Sequence, residues 1–143
     1  MLNAELRTLL TADGTPVCNV SFDLSAEQLA VSARCVDAVR VRRYRGDELS
    51  TDDVLGLQEL TGVIDELHWL ADHGAHGTIV LPLARFATLH DALVDWLSEL
   101  DERGWGREAE LADRPIAAGL TGPMASLRAD AVQAVLAGTT QPH

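Results

Sequence analysis

From residue 17 to residue 24 apolar side chains alternate with polar ones: Cys18, Val20, Phe22 and Leu24 fall on one side, Asn19, Ser21 and Asp23 on the other. A period of two marks a half-buried strand. Ala12-Asp13-Gly14-Thr15-Pro16, just before it, is turn chemistry, so residues 5–11 are expected to form the first arm of an N-terminal hairpin. That arm is open to a second reading, because Leu2, Leu6, Leu9 and Leu10 would also suit a short helix. Ser25-Ala-Glu-Gln28 then has the form of a capping box and predicts a helix that turns Leu29, Ala33 and Val36 inward. Residues 39–44 alternate again and predict a strand, with Val39 and Val41 toward the core and Arg40 and Arg42 outward.

The period lengthens from Ser50. Ser50-x-x-Asp53 is a helix start, and the acids Asp52 and Asp53 suit the positive end of a helix dipole. The helix is expected to reach about His73, where Gly74 offers a left-handed stop. Leu57, Leu60, Ile64, Leu67 and Ala71 make its main stripe, widened by Val63 and Leu70. A second line, Leu55, Gly62 and Trp69, recurs every seven residues on the polar side. A glycine inside a helix costs about 1 kcal/mol relative to alanine, so this line is expected to meet something: another part of the chain, or a second subunit or partner.

Residues 76–81 are nearly all apolar and predict a strand buried on both faces, and Pro82 suits the start of the following helix. That helix, about residues 83–103, gathers Phe86, Leu89, Leu93, Trp96, Leu97 and Leu100 on one face and Asp91, Asp95, Glu99 and Glu102 on the other. Gly104-Trp105-Gly106 breaks it, a polar connection leads to Pro115, and a last helix starts at Thr121-Gly-Pro. In that helix Met124, Leu127, Ala131 and Val135 face inward and Gly138 is the stop. The expected order is β-β-α-β-α-β-α-α, an α+β domain over residues 1–138 with a frayed tail at 139–143. About four strands form a small mixed sheet, and helices pack mainly on one of its faces.

Composition narrows the function classes. An apolar share of 47% and a charged share of 23% are those of a folded domain, not a disordered chain. The formal charge of −11 is uneven: residues 1–46 carry six Arg against five acids, and residues 47–143 carry five Arg against seventeen acids. An acidic body repels polyanions and anionic membranes, so nucleic acid is an improbable partner. There is no lysine, and the wealth of Ala, Leu, Asp and Gly reads as the codon bias of a GC-rich bacterial genome. No signal peptide and no run near the ~20 apolar residues of a membrane span is seen, which points to the cytoplasm with Cys18 and Cys35 reduced. A Cys18–Cys35 disulfide is the alternative.

Candidate chemistry is thin. His68 and His90 are weak metal candidates: each lies about two turns from the connection between their helices, but no HExxH or Cys/His pattern accompanies them. Arg40, Arg42, Arg43 and Arg45 form the one basic cluster, with Tyr44 to stack on a base, though alternating arginines also serve as the outward face of a strand. The acids of the second long helix share a solvated face. No GxSxG, GxGxxG or phosphate-loop sequence occurs, both thiols sit at apolar positions, and no catalytic residue or cofactor is assigned. Trp105, between two glycines, is either a contact residue or a lid on the core. The leading expectation is a non-enzymatic interaction module, self-associating or binding another protein through Leu55, Gly62 and Trp69 or through Trp105. A small-molecule-binding or regulatory domain with a pocket between sheet and helices is the alternative.

Overall fold

The computed structural model describes residues 3–45, 48–73 and 77–140. Its elements are β1 (Ala4–Leu10), β2 (Pro16–Leu24), α1 (Ala26–Arg43), α2 (Thr51–His73), β3 (Gly77–Pro82), α3 (Leu83–Arg103) and α4 (Glu108–Thr140). The α+β class stands, but among the described residues three strands form instead of four and their sheet is wholly antiparallel, in the order β1-β2-β3.

The N-terminal hairpin forms as the turn chemistry requires. Gly14 takes a φ of 82°, a left-handed conformation that is easy only for glycine. Thr11 N donates to Thr15 O and Gly14 N to Thr11 O, each at 2.9 Å. The Asp13 carboxylate accepts from the Thr11 hydroxyl and the Thr15 amide, and these bonds hold its carboxyl below the usual range. The first arm is a strand, not a helix.

Both capping boxes are present. Gln28 N donates to Ser25 Oγ at 3.1 Å while Ser25 N donates to the Gln28 side chain at 2.8 Å. Ser50 and Asp53 reciprocate in the same way at 3.0 and 3.1 Å. Each box satisfies backbone donors that a helix start leaves without partners.

Three expectations are corrected. Residues 39–44 are not a strand: α1 continues through Arg43, Val39 is buried, and Val41 is 52% exposed. The buried set Leu29, Ala33, Val36 and Val39 keeps helical spacing, so the six-residue alternation that follows was too short to fix a period. β3 is buried on one face only, with Ile79 and Leu81 inward and Val80 54% exposed. Finally, α4 starts at Glu108, inside the expected connection, and runs through Pro115, Pro123 and Gly138. An interior proline costs about 3 kcal/mol in a helix. Burial of Ala117, Leu120, Met124 and Ala131 works against that cost. Gly74 and residues 141–143 lie outside the described residues.

The core is one cluster on one side of the sheet. Cys18, Val20, Phe22 and Leu24 of β2 face the helices together with Ile79 and Leu81 of β3, and α1, α3 and α4 all touch β2. Phe22 and Phe86 meet edge to face, ring centroids 5.2 Å apart at 73°. The opposite sheet face is uncovered. Phe22→Ala should cost about 3–5 kcal/mol, read as a lower denaturation midpoint; a shift under about 1 kcal/mol would show that the sheet is not anchored through this contact.

Candidate functional site

Local sequence places the singled-out residues on three surfaces. On α2 the core stripe of Leu60, Val63, Ile64, Leu67 and Leu70 turns Leu55 and Trp69 directly away, and they are 55% and 57% exposed. Trp69 stacks on His73 at 4.8 Å, and the His73 ring is held by the Trp69 carbonyl at 3.0 Å. Gly62 is explained within the chain: the Arg85 guanidinium lies across it, and a Cβ there would stand 3.3 Å from Arg85 Cζ. The chain thus covers this line at Gly62 and leaves both its ends bare.

The second surface is a cleft of about 380 Å³ where the C-terminal ends of α1 and α3 meet the start of α4. Ala38, Val41 and Trp96 line it with Trp105, and Arg42, Arg45, Arg103 and Arg107 surround it. Gly104 makes the turn, with φ 75° and its N–H on the Leu100 carbonyl. Trp105 is 64% exposed, so it is no lid on the core; the Arg103 guanidinium rests over its ring at 4.9 Å. Arg103 also donates to Glu99 at 2.9 Å and to both oxygens of Glu110 at 3.1 and 2.8 Å. Glu110 in turn accepts the Arg107 amide at 3.0 Å, capping α4. These bonds, the Arg103 pair foremost, pull the Glu110 carboxyl down to about 2 and raise Arg103 above its ordinary value.

The third surface is the bare side of the sheet. Glu5, Arg7, Leu9, Val17, Asn19, Ser21 and Val80 face outward there, and a shallow hollow of about 240 Å³ lies among Arg7, Leu9, Asn19 and Val80. Leu9 on this face and Leu10 on the helix side are 49% and 55% exposed. Their exposure does not follow from the sequence pattern, in which the same leucines suit either a strand or a short helix.

The remaining candidates disperse. Arg40 bonds Asp37 at 2.5 Å and Thr61 at 3.4 Å, Arg42 and Arg43 converge on Asp95 at 2.9 and 2.8 Å, and Arg45 lies in the cleft. Burial pushes the Asp95 carboxyl up, but the two guanidiniums outweigh it and hold it below its usual range. The acids of α3 do face solvent, Asp91 and Glu102 most of all, but Asp91, Asp95 and Glu99 also tie the helix to α4, to α1 and to its own Arg103. His68 is exposed, whereas His90 Nδ1 faces Arg128 Nη1 at 3.2 Å. Burial first, then Arg128, lowers the His90 pKa. Among the described residues no group of three or more His, Cys, Asp or Glu side chains gathers as a metal site would. Cys18 and Cys35 are free and buried, and burial pushes the Cys35 thiol up to about 12, leaving it protonated and unreactive. Ser32 is wholly buried with an unpartnered hydroxyl. No helix among the described residues is long and apolar enough to cross a membrane.

Comparison with family models, curated proteins and solved structures returned no match. What fold and surfaces define is an antiparallel α+β domain with an open sheet side and a tryptophan-lined arginine cleft.

Because the carboxyl pKa of Glu110 is depressed on folding, its contribution is complete above about 4.5 and is lost as pH falls toward about 2. Discounted for solvent screening, Glu110→Gln should cost about 1 kcal/mol at neutral pH and flatten the acid limb of the stability curve by a similar amount. Denaturant titrations from pH 7 to 2 check this; an unchanged acid slope in the variant would show that Glu110 does not carry it.

Proposed function

We propose that this protein is a non-enzymatic interaction module that self-associates, and that it works in the cytoplasm. The observation that carries the reading is strand β1, which lies at the sheet edge with exposed leucines on both of its faces, Leu9 outward and Leu10 toward the helices. A lone edge strand with apolar side chains on both faces is a surface that soluble proteins cover or pair. The ends of the α2 line, Leu55 and Trp69, with Gly62 between them, and the loop residue Trp105 are then the surfaces offered to a further protein. Nucleic acid is a poor fit, since Arg40, Arg42 and Arg43 are each engaged by a carboxylate of the same chain.

Solution mass tests the reading. Light scattering across a micromolar dilution series should give the mass of two chains for the wild type and for Trp69→Asp. A single-chain mass throughout for the wild type would overturn self-association, and a single-chain mass for Trp69→Asp alone would move the contact to α2.

The cleft supports a second reading, a small-molecule-binding domain whose pocket lies among helix ends instead of between sheet and helices. Apolar Val41 and Trp105 beside Arg45 and Arg107, neither of which forms a salt bridge among the described residues, suit an organic anion with a planar apolar part, the lining carboxylates Glu99 and Glu110 being held by Arg103. In a thermal-shift screen such anions should raise Tm by mass action, and Arg45→Ala with Arg107→Ala should abolish the shift. A shift that survives both substitutions would place the ligand elsewhere.

A further inference from the structure

Backbone parity along β1 decides which residues can pair with anything beyond the sheet. Asp23 N donates to Asn3 O at 3.0 Å and Thr11 N to Thr15 O at 2.9 Å, at either end of an unbroken register. In an antiparallel ladder, hydrogen-bonded and non-hydrogen-bonded pairs alternate. Odd-numbered residues therefore bond β2, and Ala4, Leu6, Thr8 and Leu10 direct their N–H and C=O groups to the side on which the described sheet has no further strand. Two of the usual guards of such an edge are missing, since β1 contains no proline and its register has no bulge; the guard it does carry is the charged pair Glu5 and Arg7. The other edge strand, β3, ends in Pro82 and passes straight into α3.

The side chains add a second observation. Among the described residues eight of the eleven arginines pair with a carboxylate, whereas Arg7 has no carboxylate partner and Glu5, its neighbour on the outer face, has no cationic one. Both are exposed.

We infer, building on the self-association reading above, that the occupant of this edge is a second copy of the chain. Its β1 pairs antiparallel with this one about a two-fold axis at Leu6, making a continuous six-stranded sheet. Parity and charge select the register. The outward backbone groups are even-numbered, so even residues must face even residues. Centred on Glu5, the pairing sets Glu5 against the partner's Glu5; centred on Arg7, it sets Arg7 against the partner's Arg7. Like charges directly opposite are destabilising. Centred on Thr8, it pairs neither charge with its opposite. Centred on Leu6, Glu5 faces the partner's Arg7 and Arg7 faces the partner's Glu5, both at the close non-hydrogen-bonded spacing. Leu6 then meets its own copy on the helix side, and Ala4 and Thr8 exchange backbone bonds across the axis. The interface is isologous, as a closed dimer requires.

Charge reversal tests this register between chains. Glu5→Arg and Arg7→Glu, each alone, place like charges opposite one another twice per dimer and should raise the dissociation constant about tenfold or more. Mixed in equal amounts, the two variants form a heterodimer with two opposite-charge pairs and should return to wild-type affinity. Analytical ultracentrifugation reads the affinities, and circular dichroism with thermal unfolding of each monomer confirms that the variants fold. A monomeric wild type overturns the self-association reading itself. A dimeric wild type whose affinity neither variant alters leaves self-association standing and removes β1 as its site. Weakening by both variants without recovery in the mixture overturns the Leu6-centred register, and weakening by Arg7→Glu alone does the same.

Discussion

Every layer of this domain is referred to the inner face of β2. Among the described strands it alone has neighbours on both sides, and Cys18, Val20, Phe22 and Leu24 on its helix-facing side are all buried. Because the side-chain period of a strand is two, a slip of one residue would turn all four into solvent and bring Asn19, Ser21 and Asp23 into the core. That penalty fixes the register of both ladders at once, and with it the positions of Phe86 on α3 and of the α4 residues that touch the strand. The same alternation leaves the far side of the sheet mixed, with Leu9, Val17 and Val80 among charged and polar residues and no described element over it, as an antiparallel sheet permits and a parallel one rarely does.

Around that core, charge is used as a fastener between helices more than as a field. Arg34 reaches Asp113, Arg42 and Arg43 share Asp95, Arg114 reaches Asp101 and Arg128 reaches Asp91, so α1, α3 and α4 are tied pairwise by guanidinium–carboxylate contacts. Two of these contacts are bidentate, which suits the planar fork of arginine and would not be matched by lysine. Each exposed pair contributes little by itself, at most about 1 kcal/mol. Their distribution nevertheless explains how a chain of charge −11 keeps an acidic helix such as α3 packed between two others. The arginines without a salt bridge among the described residues, Arg7, Arg45 and Arg107, stand on the outer face of the sheet and in the cleft.

The parts of the fold that could be read from the chain are those where local and tertiary demands agree. The Asp13-Gly14 turn, the boxes at Ser25 and Ser50 and the apolar face of α3 each follow from a few adjacent residues, and each is where the sequence puts it, as is the α2 stripe through Leu60, Ile64 and Leu67, although Ala71 at its end is exposed and Leu57 only half-buried. The errors fall where a short local pattern competed with packing. Val39-Arg-Val-Arg alternates like a strand, but Val39 extends the helical set begun at Leu29, and Arg42 and Arg43 reach Asp95 from a helix end. Pro115 and Pro123 look like breaks, yet α4 passes through both because its buried residues on either side are held against the sheet and its neighbours.

By itself, then, the sequence determined the hairpin, the two capped helix starts, the long amphipathic helices and the α+β class, because turn chemistry, capping and hydrophobic period act over a few residues. It also singled out Leu55, Gly62, Trp69 and Trp105 as unusual. Only the tertiary structure decided that Gly62 seats Arg85, that Trp105 closes a cleft with Arg103, that the acids of α3 are fasteners and that β1 stands open at the sheet edge. Each of those outcomes depends on which distant segment arrives at a given face. That is settled by the burial of β2 between its two neighbours and the helices, not by the residues at the site.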